Sequence, residues 1–309
     1  MISKPIAVLL LSHGTPRSKE DFPQFLTSIA KGRKPSDNLL NEIIRRYDLI
    51  GGLSPLNDII EKQIACLATS LNSDGHFEIV RGFKHISPTI EDTVELITST
   101  KYSFVVILVM TSYHSRLSTG EYIERALNTI DENTPNYAVV QSFHDNSNFV
   151  NLLANRIQHT SKRLSDYHVL FSTHSLPVTQ LDDNEQYQSQ HLKTSSLVAT
   201  QLGIHSHNWT SVYQSAGLRG GKWLGPDIKI ALNDISKNGC KNFIICPCGF
   251  LSDNAEILFD IDIDVKSFAD ELGVNLIRTE SLNDDPQFIE LLKNLILEVC
   301  PKELVHETN

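Results

Sequence analysis

Long apolar runs, each followed by a segment of helical periodicity, constrain this chain more than any other feature. The run FVVILVM at 104–110 has no polar face, which is typical of a strand buried on both sides of a parallel sheet. Strands that alternate with helices indicate βαβ units and therefore an α/β architecture. Similar runs predict eight strands, at 6–12, 77–83, 103–111, 137–143, 167–173, 208–214, 242–248 and 274–279.

The segment DNLLNEIIRRYDLIGG illustrates the helical periodicity between the strands. We expect Asp37 to be the N-cap of this helix, and Gly51 and Gly52 to end it. Its predicted apolar stripe comprises Leu39, Leu40, Ile43, Ile44 and Tyr47.

The eight strands divide into four and four, which predicts two similar Rossmann-like domains, 1–146 and 147–309. Each would be a four-stranded parallel sheet flanked by helices, and we expect the last helix to pack back on the first domain. The halves also begin alike, with VLLLSHGTP at 8–16 and VLFSTHSLP at 169–177. This similarity suggests an internal duplication.

Both of these repeated segments place a histidine just after a buried strand. Ligands of open α/β sheets bind beyond the carboxyl ends of the strands. We therefore expect His13 and His174 to face a cleft between the two domains.

The composition excludes several other classes of protein. The 309 residues carry a net charge of −10, which disfavours general binding of nucleic acid. No apolar run approaches the ~20 residues of a transmembrane helix, and the first run is too short for a signal peptide. The five cysteines show no disulfide spacing, so we expect a cytoplasmic protein. Cys246 and Cys248 alone do not predict an iron–sulfur cluster, which needs four ligands.

Three acidic residues, Glu256, Asp260 and Asp264, follow one another at intervals of four and would form one acidic line on a helix. A solvated acidic face is one interpretation. The apolar residues between them suggest partial burial, however, and buried carboxylates need a cation, a proton or a metal. Together with a neutral His174, they would suit a loosely held divalent first-row metal, or a base that titrates near neutral pH.

A second polar feature is basic. Lys31, Arg33, Lys34, Arg45 and Arg46 lie within sixteen residues, which indicates either ordinary surface charge or a site for carboxylates or phosphates.

A glycine-rich loop at 213–228 lacks the phosphate-loop pattern, because Trp223 follows Lys222. We interpret it as a mobile lip over a flat apolar ligand.

Several of these segments, in the same order, resemble ferrochelatases over nearly the whole chain. The closest resemblance is to the soluble ferrochelatases of Gram-positive bacteria, which metallate coproporphyrin III. The matching segments are GTP (14–16), GRKP (32–35), RYDLIGGLSPL (46–56), GFKHISPTIEDTVE (82–95), STHSLP (172–177), YQS (213–215) followed by WLGPDI (223–228), and GFLSDNAEILFDID (249–262).

The resemblance implies roles for individual residues. His174 would be the catalytic proton acceptor and an iron ligand, and Glu256 would be the catalytic carboxylate opposite it. Asp260 and Asp264 would extend the path of the metal ion. The residues that would contact the porphyrin are His13, Arg33, Arg45, Arg46, Tyr47, Ser54, Tyr122 and Trp223.

We therefore expect the chain to be a chelatase of the lyase class, which inserts Fe²⁺ into coproporphyrin III in haem biosynthesis. Fe²⁺ and coproporphyrin III are both substrates, and we expect no permanently bound cofactor. Protoporphyrin IX is the alternative substrate. A non-catalytic porphyrin- or haem-binding paralogue is a second hypothesis, since His13 replaces the usual Tyr. A two-lobed periplasmic-type binding protein is a third, disfavoured without a signal peptide. We expect a monomer with no nucleic-acid partner, no transmembrane segment, and only transient contacts with other haem-pathway enzymes.

Overall fold

The computed structural model describes residues 4–72, 76–100, 102–181, 185–217 and 221–305. These residues form two four-stranded sheets in which all neighbouring strands are parallel. All eight predicted strands are present, so the predicted α/β class with two parallel sheets is confirmed. The strands are β1 (Ile6–Ser12), β2 (Phe77–Phe83), β3 (Phe104–Val109), β4 (Tyr137–Val140), β5 (His168–His174), β6 (Trp209–Gln214), β7 (Asn242–Cys246) and β8 (Asn275–Arg278).

The two sheets have equivalent strand orders, β2-β1-β3-β4 and β6-β5-β7-β8. In each sheet the first strand of the unit is therefore central, which agrees with an internal duplication. All residues of β1 and β3 are buried, as their uninterrupted apolar sequences require. In β5 burial extends as far as Thr173, and only the terminal His174 is half-buried.

Helices follow the strands and cover the sheets. The segments Arg116–Gly120 and Ile257–Val265 are π-helical. The α-helices are α1 (Phe22–Ile29), α2 (Asp37–Leu49), α3 (Leu56–Leu71), α4 (Ile90–Ser99), α5 (Glu121–Thr129), α6 (Ser147–Thr160), α7 (Tyr187–Gln201), α8 (Ile228–Lys237), α9 (Lys266–Glu271), α10 (Pro286–Val299) and α11 (Lys302–Val305).

The predicted N-cap of α2 is wrong by one residue. Ser36 has extended backbone angles and its Oγ accepts a hydrogen bond from the Leu39 N–H at 3.3 Å, whereas Asp37 is already helical. The C-terminal end agrees with the prediction, because Gly51 and Gly52 both adopt positive φ angles just after the helix. Of the predicted apolar stripe only Tyr47 is buried, and the other members are half-buried.

The chain folds into two compact units. The first runs to Met110 and also includes Ser118–Gln141 and the segment from Asn283 onward; the second comprises Thr111–Leu117 and Ser142–Leu282. The helix α10 packs against α3, β3 and β4 and so belongs to the first unit, rather than to the 147–309 half in which its sequence position puts it. The cleft that we expect between the halves stays a prediction.

Each unit has its own apolar core. In the first, residues of β1 and β3 pack against α4 and α5. In the second, residues of β5, β6 and β7 pack against α8, α9 and the π-helical segment.

No helix among the residues described is both long and apolar enough to cross a membrane.

Candidate active site

The hydroxyl residues around His174 fix the end of β5. The Ser172 Oγ donates to the Gln214 Oε1 at 2.9 Å, and the Ser175 Oγ donates to the Leu224 carbonyl at 2.8 Å. The Ser175 N–H also donates to the Gln214 carbonyl at 2.7 Å, which continues the pairing of β5 with β6. The Ser-Thr-His-Ser cluster therefore anchors the strand end to two neighbouring segments while the histidine remains accessible.

Thr173, directly before the histidine, contacts Tyr187 on one side and Gly249 on the other. Its Oγ1 lies 2.6 Å from the Tyr187 hydroxyl, which in turn donates to the His174 carbonyl at 3.0 Å. On its other side, a Cβ at Gly249 would lie only 1.9 Å from the Thr173 Oγ1. Only glycine fits at position 249, so the loop after β7 can approach the end of β5.

The His174 imidazole faces a carboxylate of the same unit. Its Nδ1 lies 2.5 Å from the Ser175 carbonyl oxygen, which can only accept, so Nδ1 carries a proton. Its Nε2 lies 3.4 Å from the Glu256 Oε1, and about a third of the His174 side chain (35%) is exposed. The reactive nitrogen of the pair is therefore Nε2, which is where both a proton and a metal ion would have to bind.

The surroundings favour the charged form of His174. Burial lowers its pKa, but the Glu256 carboxylate, the Ser175 carbonyl and Asp260 outweigh this effect and raise the pKa to about 9. At neutral pH the resting pair is thus an imidazolium with a carboxylate. The predicted role as proton acceptor requires that this imidazolium first lose its proton.

The segment after Glu256 carries the predicted acidic line. The Asn254 Oδ1 accepts from the N–H groups of Glu256 and Ile257 at 2.9 and 3.0 Å and so caps its first turn. The segment Ile257–Val265 then continues as a π-helix rather than an α-helix. π-Helical segments are rare in proteins, but those that do occur are often found at functional sites.

Asp260 and Asp264 already have partners. Asp260 accepts a short hydrogen bond from the Ser215 hydroxyl, and the Lys229 Nζ lies 2.8 and 2.7 Å from the two carboxylate oxygens of Asp264. Within the described ranges no group of three His, Cys, Asp or Glu side chains is arranged to hold a metal ion. The four residues predicted as metal ligands therefore form a His174–Glu256 pair and two separately bonded carboxylates.

A second pair of imidazoles lies at the carboxyl end of the first sheet. The His85 N–H donates to the His13 carbonyl at 3.2 Å, and this bond extends the β1–β2 ladder and places the rings 4.6 Å apart. The Nδ1 of His85 lies 2.9 Å from the Ser28 hydroxyl, and that of His13 lies 2.9 Å from the Gly14 carbonyl. Burial, and next the neighbouring His13, lowers the pKa of His85 to about 2, so that its ring is neutral.

The predicted arginines differ in their surroundings. Both Arg45 and Arg46 donate to the Glu42 carboxylate, at 2.9 and 3.0 Å from Arg45 and 2.9 Å from Arg46. These hydrogen bonds lower the pKa of Glu42 to about 2. Arg33 is exposed in the loop between α1 and α2. The three cations belong to the first unit, and Glu42 neutralises one of their charges.

Three other residues predicted to contact the porphyrin are buried in the first unit. The Tyr47 hydroxyl lies 3.0 Å from the Thr15 Oγ1, and the Ser54 Oγ accepts from the Leu56 N–H at 3.3 Å. The Tyr122 ring lies 4.9 Å from the Nζ of Lys84. These contacts within the unit leave little of each side chain exposed.

Trp223 is half-buried and forms an isolated bridge with Pro177. A Cβ at Gly217 would lie 2.7 Å from its ring. The predicted lip also includes 218–220, which lie outside the described residues.

Sequence reasoning missed several residues near these sites. Lys84 and His85 belong to the segment GFKHISPTIEDTVE, but the pairing of β1 with β2 is what places His85 beside His13, and the packing of α5 is what places Tyr122 beside Lys84. Lys229 and Tyr187 carry no recognisable motif. Only the folded structure brings them to Asp264 and His174.

Comparison with known proteins shows the family of the chain. A family model described as Ferrochelatase matches residues 5–299 of the chain. A coproporphyrin III ferrochelatase of Halalkalibacterium halodurans is 35% identical over 304 residues, which cover 96% of this chain and 97% of the relative. A ferrochelatase of Deinococcus radiodurans is 34% identical over 301 residues, 95% of each chain.

A solved structure shares the fold at much lower identity. The structure described as SirB from Bacillus subtilis with Fe³⁺ has a TM-score of 0.59 and 12% identity, and covers 95% of each chain. This similarity concerns the fold alone. The family model and the relatives, by contrast, match almost the whole sequence, and they confirm the resemblance. The chain therefore belongs to the ferrochelatase family.

Proposed function

We propose that this chain is a coproporphyrin III ferrochelatase of haem biosynthesis. It would insert Fe²⁺ into coproporphyrin III, release the two pyrrole N–H protons and yield Fe-coproporphyrin III. The family and the name of the Halalkalibacterium halodurans relative support this proposal. The observation that carries it is the His174–Glu256 pair at the end of β5, with Nε2 and Oε1 3.4 Å apart.

The pair can handle protons and metal at one place. A divalent cation that approaches the Glu256 carboxylate would oppose the positive charge of the imidazolium, and so favour loss of the His174 proton to water. The neutral Nε2 could then take a pyrrole proton and pass it in turn to water. Repetition of this exchange removes both pyrrole protons while iron replaces them.

The three carboxylates of the acidic line, those of Glu256, Asp260 and Asp264, would contribute unequally to binding the metal ion. Asp260, hydrogen-bonded to Ser215, adds to the negative field that raises the pKa of His174. Asp264 is paired with Lys229, so that its charge is largely compensated. We propose that Glu256 and Asp260 receive the metal ion and that Asp264 acts more weakly, at the outer end of the path.

The basic residues of the first unit suit an anionic tetrapyrrole. Coproporphyrin III carries four carboxylates and protoporphyrin IX carries two, and arginine binds carboxylates bidentately. Arg33, Arg45 and Arg46 are the cations that we propose for this contact. Protoporphyrin IX remains the alternative substrate.

A non-catalytic porphyrin carrier is the second candidate, and His13 favours it. Its exposed imidazole could bind a haem iron as an axial ligand without any chelation chemistry. A carrier, however, has no use for an imidazolium–carboxylate pair.

We propose no resident cofactor and no iron–sulfur cluster. Both Cys246 and Cys248 are fully buried, and burial raises the pKa of each thiol, that of Cys248 to about 12. Such thiols stay protonated and are poor ligands. A cytoplasmic location and a monomeric state are further parts of the proposal.

The test is anaerobic metallation followed by absorbance, with Fe²⁺ and either coproporphyrin III or protoporphyrin IX. We expect insertion into both rings, with a higher kcat/KM for coproporphyrin III. A preference for protoporphyrin IX would replace the proposed substrate by its alternative. Tight binding of either porphyrin without insertion would instead support the carrier.

A further inference from the structure

We propose that Tyr187 is a positioning residue for the chelation reaction, which holds His174 at its working distance from Glu256 by fixing the end of β5. This inference rests on the proposed function. Tyr187 touches neither of the reacting groups with its side chain, and acts through the backbone of His174 and the side chain of Thr173.

A chain of hydroxyl groups links Tyr187 to the histidine. The Tyr187 hydroxyl donates its only proton to the His174 carbonyl at 3.0 Å, so the contact of 2.6 Å with Thr173 is one in which the Thr173 Oγ1–H donates. Each group in this chain polarises the next in a buried environment. The two bonds fix the residue before the histidine and the carbonyl of the histidine itself.

Tyr187 is itself rigidly held. It is the first residue of α7, is 4% exposed, and packs its ring edge-on against Tyr113 with centroids 5.8 Å apart. Its N–H donates to the Glu185 Oε1 at 3.1 Å, and the Glu185 Oε2 accepts from the Ser115 hydroxyl at 3.0 Å. A hydroxyl on so constrained a ring can set the position of the strand end.

The same hydroxyl chain reaches the segment that leads to Glu256. Thr173 packs directly on Gly249, whose N–H donates to the Ser172 carbonyl at 3.1 Å. A shift of Thr173 would therefore change the approach of the loop after β7 as well as the direction of the His174 ring. Misplacement of a reacting group by about 1 Å can cost on the order of a hundredfold in rate.

The first test compares Tyr187→Phe with the matched control Tyr102→Phe. Tyr102 is likewise buried, at 6% exposed, but lies in the first unit, where its hydroxyl donates to the Glu78 Oε2 at 2.8 Å, and neither variant loses more than one hydroxyl. We expect Tyr187→Phe to lower kcat for iron insertion by roughly tenfold, with the KM for porphyrin changed less than twofold. The control should keep kcat within about twofold. An unchanged kcat in Tyr187→Phe, or equal losses in both variants, would overturn the proposal.

Two variants of Thr173 test the same chain of hydroxyl groups if Tyr187→Phe does not fold. Thr173→Ser keeps the hydroxyl and should retain kcat within about twofold, whereas Thr173→Val should lose at least threefold at unchanged porphyrin KM. Equal activity of the two variants would contradict a role for the hydroxyl chain.

A measurement without turnover separates this proposal from the proposed function. The imidazole C–H signals of His174, assigned by their loss in His174→Ala, are recorded by NMR in the protein without porphyrin or metal. We expect Tyr187→Phe to shift them and Tyr102→Phe to leave them in place. If the unaltered chain inserts no iron, the proposed function fails, and these signals alone decide whether Tyr187 positions His174.

Discussion

The Nε2 of His174 and the Oε1 of Glu256 lie 3.4 Å apart, although 82 residues of sequence separate them. The two side chains come together because β5 and β7 are neighbouring parallel strands. His174 at the end of β5 therefore lies beside the segment after β7 that carries Glu256. With a pKa of about 9, His174 carries a positive charge opposite Glu256 at neutral pH. The charge of this pair and of its neighbours determines how the variants below should behave.

Glu256→Gln should lower the pKa of His174 below about 9. Burial lowers this pKa, and the variant removes the negative charge that most opposes the effect of burial. We also expect the rate of iron insertion to fall by roughly a hundredfold, which is the rate loss typical of removing a general acid or base. The pKa is measured by NMR titration of the His174 imidazole and the rate by anaerobic absorbance. An unchanged pKa would show that Glu256 does not set the charge of His174.

Asp264→Asn should leave kcat within about twofold, in contrast to Glu256→Gln. Lys229 lies 2.7 Å from the Asp264 carboxylate and already compensates its charge. Steady-state rates of the two variants, measured side by side, test this difference. A loss in Asp264→Asn as large as that in Glu256→Gln would mean that the whole acidic line takes part.

Acid should destabilise the second unit through a buried histidine. His191 is fully buried, and burial lowers its pKa to about 3. The unfolded chain binds a proton at this residue near pH 6.5, so the free energy of unfolding falls as the pH drops from about 6.5 towards 3. At pH 5 the loss from His191 alone is about 2 kcal/mol.

Denaturant unfolding at pH 7.5 and pH 5 measures this effect. His191→Leu should reduce the difference between the two free energies of unfolding, whereas His159→Leu, at an exposed position of α6, should not. Equal pH dependence in the original chain and His191→Leu would rule out His191 as the source.

Arg33→Gln should raise the KM for coproporphyrin III several-fold and leave kcat unchanged, because an exposed cation contributes binding rather than chemistry. The increase should be smaller for protoporphyrin IX, which has fewer carboxylates. Arg163→Gln, an exposed cation of the second unit, is the control and should change neither constant. A fall in kcat without a change in KM would contradict this role for Arg33.

The parts of the fold that depend on local apolar pattern could be predicted from the sequence. The strands of the two sheets follow from apolar runs, of which FVVILVM is uninterrupted and FEIVRGF is broken by charged residues, and the place of His174 at a strand end follows from VLFSTHSLP. The N-cap of α2 could not be predicted to the residue, since Ser36 and Asp37 are both good N-caps and only the backbone angles distinguish them.

The partners of the site residues could not be predicted, because they depend on tertiary packing. The acidic spacing of Glu256, Asp260 and Asp264 is as compatible with an α-helix as with the π-helix that forms. The pairing of Lys229 with Asp264 likewise arises only when α8 packs beside that segment. Nor does the sequence indicate that His174 starts as an imidazolium, since its charge depends on distances to Glu256 and Asp260.

The most direct test of the account is the rate of Fe²⁺ insertion into coproporphyrin III by the original chain, His174→Ala and the exposed-histidine control His159→Ala. We predict rapid insertion by the original chain and the control, and a loss of at least about a hundredfold in His174→Ala. Insertion by folded His174→Ala at the original rate would contradict the claim that the His174–Glu256 pair performs the chemistry.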